Sequence, residues 1–119
     1  MKPEEKPSSW FDANKICKDI GSILIEPRNA ELNTIADTFK ISPWIGASDL
    51  ASEGDWRWTS NNEVLNYTNW TPGQPDNFVG QDCAAIVNRG LWEDFDCSNK
   101  RAFICQTEKG KWSIYKEYF

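Results

Sequence analysis

Apolar residues recur at helical spacing at Ala13, Ile16, Cys17 and Ile20, which predicts an amphipathic helix over about residues 9–20. Ser9 followed by Asp12 resembles a capping box at its start, and Gly21 stops its last turn. The pattern then shortens. Residues 22–26 (Ser-Ile-Leu-Ile-Glu) predict a strand broken by Pro27, and Asn29 can cap a second helix that buries Leu32, Ile35, Ala36 and Phe39. Trp44-Ile45-Gly46 opens a further strand, and Trp56-Arg57-Trp58 alternates like another. From Thr59 to Asp82 the chain is polar and rich in Asn, Pro and Gly, a length that a compact domain tolerates when the loop is functional. Three apolar strands follow, near residues 83–87, 91–95 and 102–106.

These elements fit within one domain of 119 residues, enough for a single core. The seven tryptophans are read first as packing residues. A net charge of −5 argues against nucleic acid or an anionic membrane surface as partner and suits cation binding better. No apolar run approaches a membrane span, so no membrane contact is expected. The opening Met-Lys-Pro-Glu-Glu-Lys-Pro lacks the apolar segment of a signal peptide, and Met1 reads as an added or initiator residue on a trimmed chain.

The four cysteines, at 17, 83, 97 and 105, form no Cys-x-x-Cys pair, and histidine is absent, which argues against a zinc site. An even count at wide spacing suits two disulfides in a secreted protein, with three pairings open on spacing alone. Without histidine no Ser-His-Asp or Cys-His arrangement exists, so the chain is not expected to be an enzyme.

The succession of two helices, Trp44-Ile45-Gly46, Gly54-Asp55-Trp56-Arg57-Trp58, Asn69-Trp70, Gln74-Pro75-Asp76, Cys83, Trp92-Glu93-Asp94, Cys97 and Cys105 resembles the C-type lectin-like domain, from about Ser8 to Gln106. The resemblance implies an α+β fold of two helices, antiparallel sheets and a long calcium- and sugar-binding loop. It also implies the disulfides Cys17–Cys105 and Cys83–Cys97. The family usually places a strand before its first helix, and this chain has none there. Residues 112–119 (Trp-Ser-Ile-Tyr-Lys-Glu-Tyr-Phe) look like that strand. A hairpin through Thr107–Lys111 would set them beside the last strand, giving a circularly permuted order within one domain over residues 1–119. The alternative is a C-terminal extension on a truncated domain.

By the same resemblance, calcium sits on the long loop, held by Gln74, Asp76, Gln81, Glu93 and Asp94, with Pro75 in a cis peptide. Calcium takes six to eight oxygen ligands, which loop amides and carboxylates supply. An auxiliary ion falls to Asp49, Glu53, Asn77 and Asp82. The family most often has Glu where Gln81 stands and Asn where Glu93 stands, and the exchange leaves the number of acids unchanged. Gln-Pro-Asp implies galactose or N-acetylgalactosamine, and Phe78 lies where galactose-binding relatives place a stacking ring. Reversal of the second pair, Gln81 and Glu93, could restore a layout suited to glucose- or mannose-type sugars.

The expectation is a secreted, calcium-dependent lectin for glycans ending in galactose, N-acetylgalactosamine or N-acetylglucosamine, assembled as a homo-oligomer for avidity. Its rivals are calcium-independent reading of acetamido sugars, and a protein-, ice- or mineral-binding module on the same fold.

Overall fold

The first helix begins where a hydroxyl meets a bare amide: Ser9 Oγ accepts from the Asp12 N–H at 3.1 Å. The computed structural model describes residues 7–75, 80–107 and 110–115. Helix α1 covers Trp10–Asp19, with Ile20 as its C-cap. Both the N–H and the Oγ of Ser22 then bond the Cys17 carbonyl, each at 2.9 Å, and turn the chain into β1 (Ile23–Leu24). Asn29 caps helix α2 (Ala30–Thr38), accepting from the Leu32 N–H at 2.9 Å. The remaining elements are β2 (Trp44–Ser48), β3 (Arg57–Trp58), β4 (Cys83–Ile86), β5 (Trp92–Phe95), β6 (Phe103–Gln106) and β7 (Trp112–Tyr115).

Two expectations about the helices are corrected. Ile20, placed on the buried face of α1, is exposed, because the helix ends one residue earlier. On α2, Leu32, Ile35 and Phe39 are only half-buried, and the polar Asn33 is buried instead.

The strands form one sheet in the order β1-β6-β2-β4-β5, with β3 pairing β2 and β7 pairing β6. Pairing is antiparallel except between β2 and β6. Strand alternation sorts the core onto the two faces of this sheet. Leu24, Trp44, Cys83, Ala85 and Phe103 pack with α1, whereas Ile25, Ile45, Ala84, Ile86, Trp92 and Ile104 form the second cluster. The long loop covers that second face with Leu65, Tyr67 and Trp70. Trp70 meets Trp56 and Trp92 edge-on at ring separations of 5.0 and 5.5 Å.

Disulfides join Cys17 to Cys105, tying α1 to β6, and Cys83 to Cys97, bracing β4 against the turn after β5. Gly46 is required by close approach, because a Cβ there would lie 2.9 Å from the Leu24 carbonyl oxygen. Strand β7 continues the sheet through the pairs Phe103↔Tyr115, Ile104↔Ile114, Cys105↔Ser113 and Gln106↔Trp112. The Phe103 and Tyr115 rings stack at 4.6 Å. The connecting turn is closed by Thr107 N–H to Lys111 O and Gly110 N–H to Thr107 O, both 3.0 Å. Residues 116–119 of the expected strand lie outside the described residues.

Candidate functional site

The register of β2 with β4 builds the acidic site. Ser48 lies opposite Cys83, so the residues just beyond, Asp49 and Asp82, are brought together, and the Asp49 N–H donates to the Asp82 carbonyl at 3.1 Å. The chain then turns back through Ser52 N–H to Asp49 O, and the Gly54 N–H donates to Asp49 Oδ2 at 2.7 Å. This turn brings Glu53 to the pair. One carboxylate oxygen from each of Asp49, Glu53 and Asp82 lies within 4.8 Å of the others.

Asp49 is only 2% exposed, yet its Oδ1 has no donor, and neither has Oδ1 of Asp82. Burial, followed by the neighbouring acid, holds the Asp82 carboxyl above the ordinary carboxylate range. Burial likewise raises Asp49, partly offset by the Gly54 N–H. Buried acceptor oxygens that repel one another and lack donors are what a hard cation neutralises. The donor set, all oxygen, fits calcium.

The expected primary site draws on the loop around Pro75, on Gln81 beside Asp82, and on β5. Gln74 precedes a cis peptide to Pro75, and its N–H donates to Thr71 O at 2.8 Å. The Thr71 N–H in turn donates to Trp92 O at 2.8 Å, which fixes this arm of the loop to β5. Gln81 is half-buried, and its Oε1 is enclosed with no donor. Asp94 is buried beside Trp92 on one face of β5, and alternation sends Glu93 to the other face with Phe95. The outer edge of β5 at Trp92 is taken by the loop arm, through Thr71 N–H to Trp92 O and Trp92 N–H to Asn69 O, both 2.8 Å. Asp76, Asn77 and Phe78, expected as two ligands and a stacking ring, lie outside the described residues.

Sequence reasoning missed the buried polar links beneath the site. Trp92 Nε1 donates to Asn33 Oδ1 at 2.8 Å, and Nδ2 of both Asn33 and Asn69 donates to the Gly90 carbonyl, at 2.9 and 2.7 Å. These bonds hold α2, the loop and the β4–β5 turn together. A second link centres on Glu26, 2% exposed, which accepts from Arg28 Nε and Nη2 and from the N–H and Oγ of Ser60. Arg28 also lies over the Trp58 ring at 5.0 Å. The only signal of either link was a polar residue at an apolar periodic position.

Residues 6–107 match the family model described as the lectin C-type domain, leaving β7 beyond the match. The chicken mannose-binding protein is 42% identical over 92 residues, covering 75% of this chain but 36% of that protein. A perlucin-like protein of the mussel Mytilus galloprovincialis is 34% identical over 108 residues, covering 82% of this chain and 69% of the relative. Among solved structures, the carbohydrate-recognition domain of the mouse scavenger receptor C-type lectin aligns with a TM-score of 0.80 at 31% identity. That alignment covers 96% of this chain and 86% of the mouse chain.

Proposed function

The chain belongs to the C-type lectin domain family, and from that premise we propose that it is a calcium-dependent, extracellular lectin for terminal galactose, N-acetylgalactosamine or N-acetylglucosamine. Domains of this family bind carbohydrate and are not enzymes. The observation that carries the calcium reading is the triad of Asp49, Glu53 and Asp82, in which the buried Oδ1 atoms of Asp49 and Asp82 have no donor. Asn77 completes this auxiliary set. Gln74, Asp76, Gln81, Glu93 and Asp94 hold the primary ion, and Phe78 stacks on the sugar's apolar face. Calcium, when bound, supplies the centre on which vicinal sugar hydroxyls complete the coordination. The chain's own part is to set amide and carboxylate oxygens around it, so that each hydroxyl donates to a carboxylate and accepts from an amide.

The two disulfides support an oxidising, extracellular setting. A single monosaccharide site of this kind binds weakly, near millimolar or about −4 kcal/mol, so useful avidity calls for a homo-oligomer. The pairing of β7 with β6 supports the reading of residues 112–119 as standing in for the family's usual first strand within a single domain over residues 1–119.

Thermal unfolding tests this reading, with calcium or chelator crossed with galactose, N-acetylgalactosamine, N-acetylglucosamine and mannose. Ligands that bind only the folded state raise its melting point. The expected result is a calcium-dependent rise with galactose or an N-acetyl-hexosamine. A sugar-induced rise that survives chelator would instead favour direct reading of the acetamido group. No sugar effect at all would leave a protein-, ice- or mineral-binding module.

A further inference from the structure

Three residues with side chains adopt left-handed backbone at one end of the molecule: Lys40 (φ 53°), Ser42 (φ 50°) and Arg89 (φ 55°). All three line the same concavity, of about 530 Å³, between the C-terminal end of α2 and the β4–β5 turn. Glycine takes this conformation freely and other residues do so at a cost. Lys40 stands just past the end of α2, a position glycine usually fills. Arg89 and Gly90 (φ 77°) form the two-residue turn closed by Leu91 N–H to Asn88 O at 2.9 Å, where Asn-Gly or Gly-Gly is favoured. Two backbone positions suited to glycine thus carry long cationic side chains. Both are exposed, and neither makes an ion pair among the described residues.

A second concavity, of about 480 Å³, shares Ile41 and Ser42 with the first and adds Lys100 and Arg101. Arg101 forms its floor: Nη1 donates to the Ser42 carbonyl at 3.1 Å, and the guanidinium lies 3.9 Å over the Phe95 ring. Its Nε is buried with no partner. Asp37 is the only acid among the residues lining either concavity. On a chain of net charge −5, two adjoining concavities are thus lined by four cations and one acid, with Glu93 a second acid whose charge reaches Arg101.

We propose that this groove is a second binding site, for the sulfate or carboxylate groups of a short acidic oligosaccharide. Arginine and lysine pair with such oxygens, and Ser42 and Asn88 add polar groups between them. Ile41 and Leu91, both half-buried, offer apolar wall to the faces of sugar rings. No aromatic residue lines either concavity, so stacking of nucleic-acid bases has no platform. The chain's overall negative charge opposes a long polyanion or an anionic membrane, whereas a short ligand meets only the local field. The groove lies at the start of β2 and the acidic triad at its end, about 20 Å apart at the rise of an extended strand. Binding here therefore does not draw on the acidic triad.

Calorimetric titration in chelator, at about 50 and 200 mM salt, tests the assignment. The probes are a heparin-derived hexasaccharide, which is sulfated, and a hexagalacturonate, which carries carboxylates only. At least one should bind saturably and more weakly at the higher salt, the tighter of the two naming the acidic group. The double variant Lys40→Gly/Arg89→Gly removes both charges while giving the backbone its preferred residue. It should unfold at the same or a higher temperature and bind about tenfold or more weakly, with Lys100→Gln giving a smaller loss. Undiminished binding by the double variant would overturn the proposal, as would failure of both hexasaccharides to saturate. Equal affinity for a single-stranded oligonucleotide of the same charge would overturn the saccharide assignment. Because calcium is absent throughout, none of these outcomes depends on the sugar site of the long loop.

Discussion

Replacing Asp82 with asparagine keeps the shape of the acidic triad and removes one of its charges. In the parent, the Asp49 and Asp82 carboxylates approach within 4.8 Å. Two full charges at that separation repel by roughly 3 kcal/mol at an effective dielectric constant of about 20. Shared protons and salt reduce this, so Asp82→Asn should stabilise the calcium-free domain by about 1–2 kcal/mol at neutral pH. In a domain of this size that raises the melting temperature by roughly 4–8 °C. Calcium at about a hundred times the triad's dissociation constant stabilises the parent by about 2.7 kcal/mol through that site, and the variant should lose most of this part of the calcium increment while keeping the part that comes from the long loop's ion. The pH dependence has a definite sign. Both carboxyls are held above their ordinary values, so the folded chain binds protons more tightly than the unfolded one. The chelated parent is therefore favoured at pH below those raised values and loses stability as pH rises through them. Calcium displaces the same protons and binds more tightly over the same rise. Asp82→Asn should flatten both trends. Differential scanning calorimetry from about pH 4 to 8, with chelator or calcium, reads all of this. A lower melting temperature for the variant in chelator, or a calcium increment as large as the parent's, would refute the triad as a cation site.

Three further outcomes concern the scaffold. Gly90→Ala puts a Cβ 2.8 Å from Asn33 Nδ2 at a φ of +77°, and should cost about 1–3 kcal/mol in a urea titration; Asn33→Ala, which strands the Trp92 Nε1 donor, should cost about the same. Ending the chain at Thr107 removes β7 and uncovers Phe103 and the outer edge of β6, so the shortened protein should melt lower and aggregate more readily by light scattering; an unchanged melting point would reduce β7 to an ornament of the sheet. On loop-closure entropy, the Cys17–Cys105 bridge, with a separation of 88, should contribute about 1.5 kcal/mol more than Cys83–Cys97, with a separation of 14, when each pair is replaced by serine and compared by denaturant midpoint.

What could be read from the sequence was whatever depends on local spacing. Ser9 and Asn29 cap the helices where the pattern put them, because a capping bond is made three residues away. The strands at β4, β5 and β6 follow from short apolar runs. The acidic triad was legible only through the family resemblance, since Asp49 and Asp82 meet through a sheet register that no local pattern encodes. The burial of Asn33 and Glu26 left only a weak trace in the pattern. Each occupies an apolar periodic position, and each is tolerated because a distant group satisfies it: the Trp92 indole in one case, Arg28 and Ser60 in the other. Ile20 failed in the opposite sense, its periodicity outlasting the helix by one residue.

On the proposed ligand set, cation binding and sugar choice rest on different features of the same residues. Cation binding depends on how many carboxylates converge, and the exchange of Gln81 and Glu93 against the usual family pattern leaves that number unchanged. Sugar choice depends on which oxygens belong to amides and which to carboxylates, because only an amide can also donate to a hydroxyl. The enclosed Gln81 Oε1 lacks a donor, so the amide can turn that oxygen toward an ion without breaking a bond the fold needs. Glu93 starts from the opposite face of β5 to Asp94, so on this ligand set its carboxylate is the most readily displaced. A change at Glu93 should therefore alter which hydroxyl pair is preferred before it abolishes calcium binding, whereas a change in the Asp49–Glu53–Asp82 triad should weaken its own cation and leave the preferred hydroxyl pair unchanged.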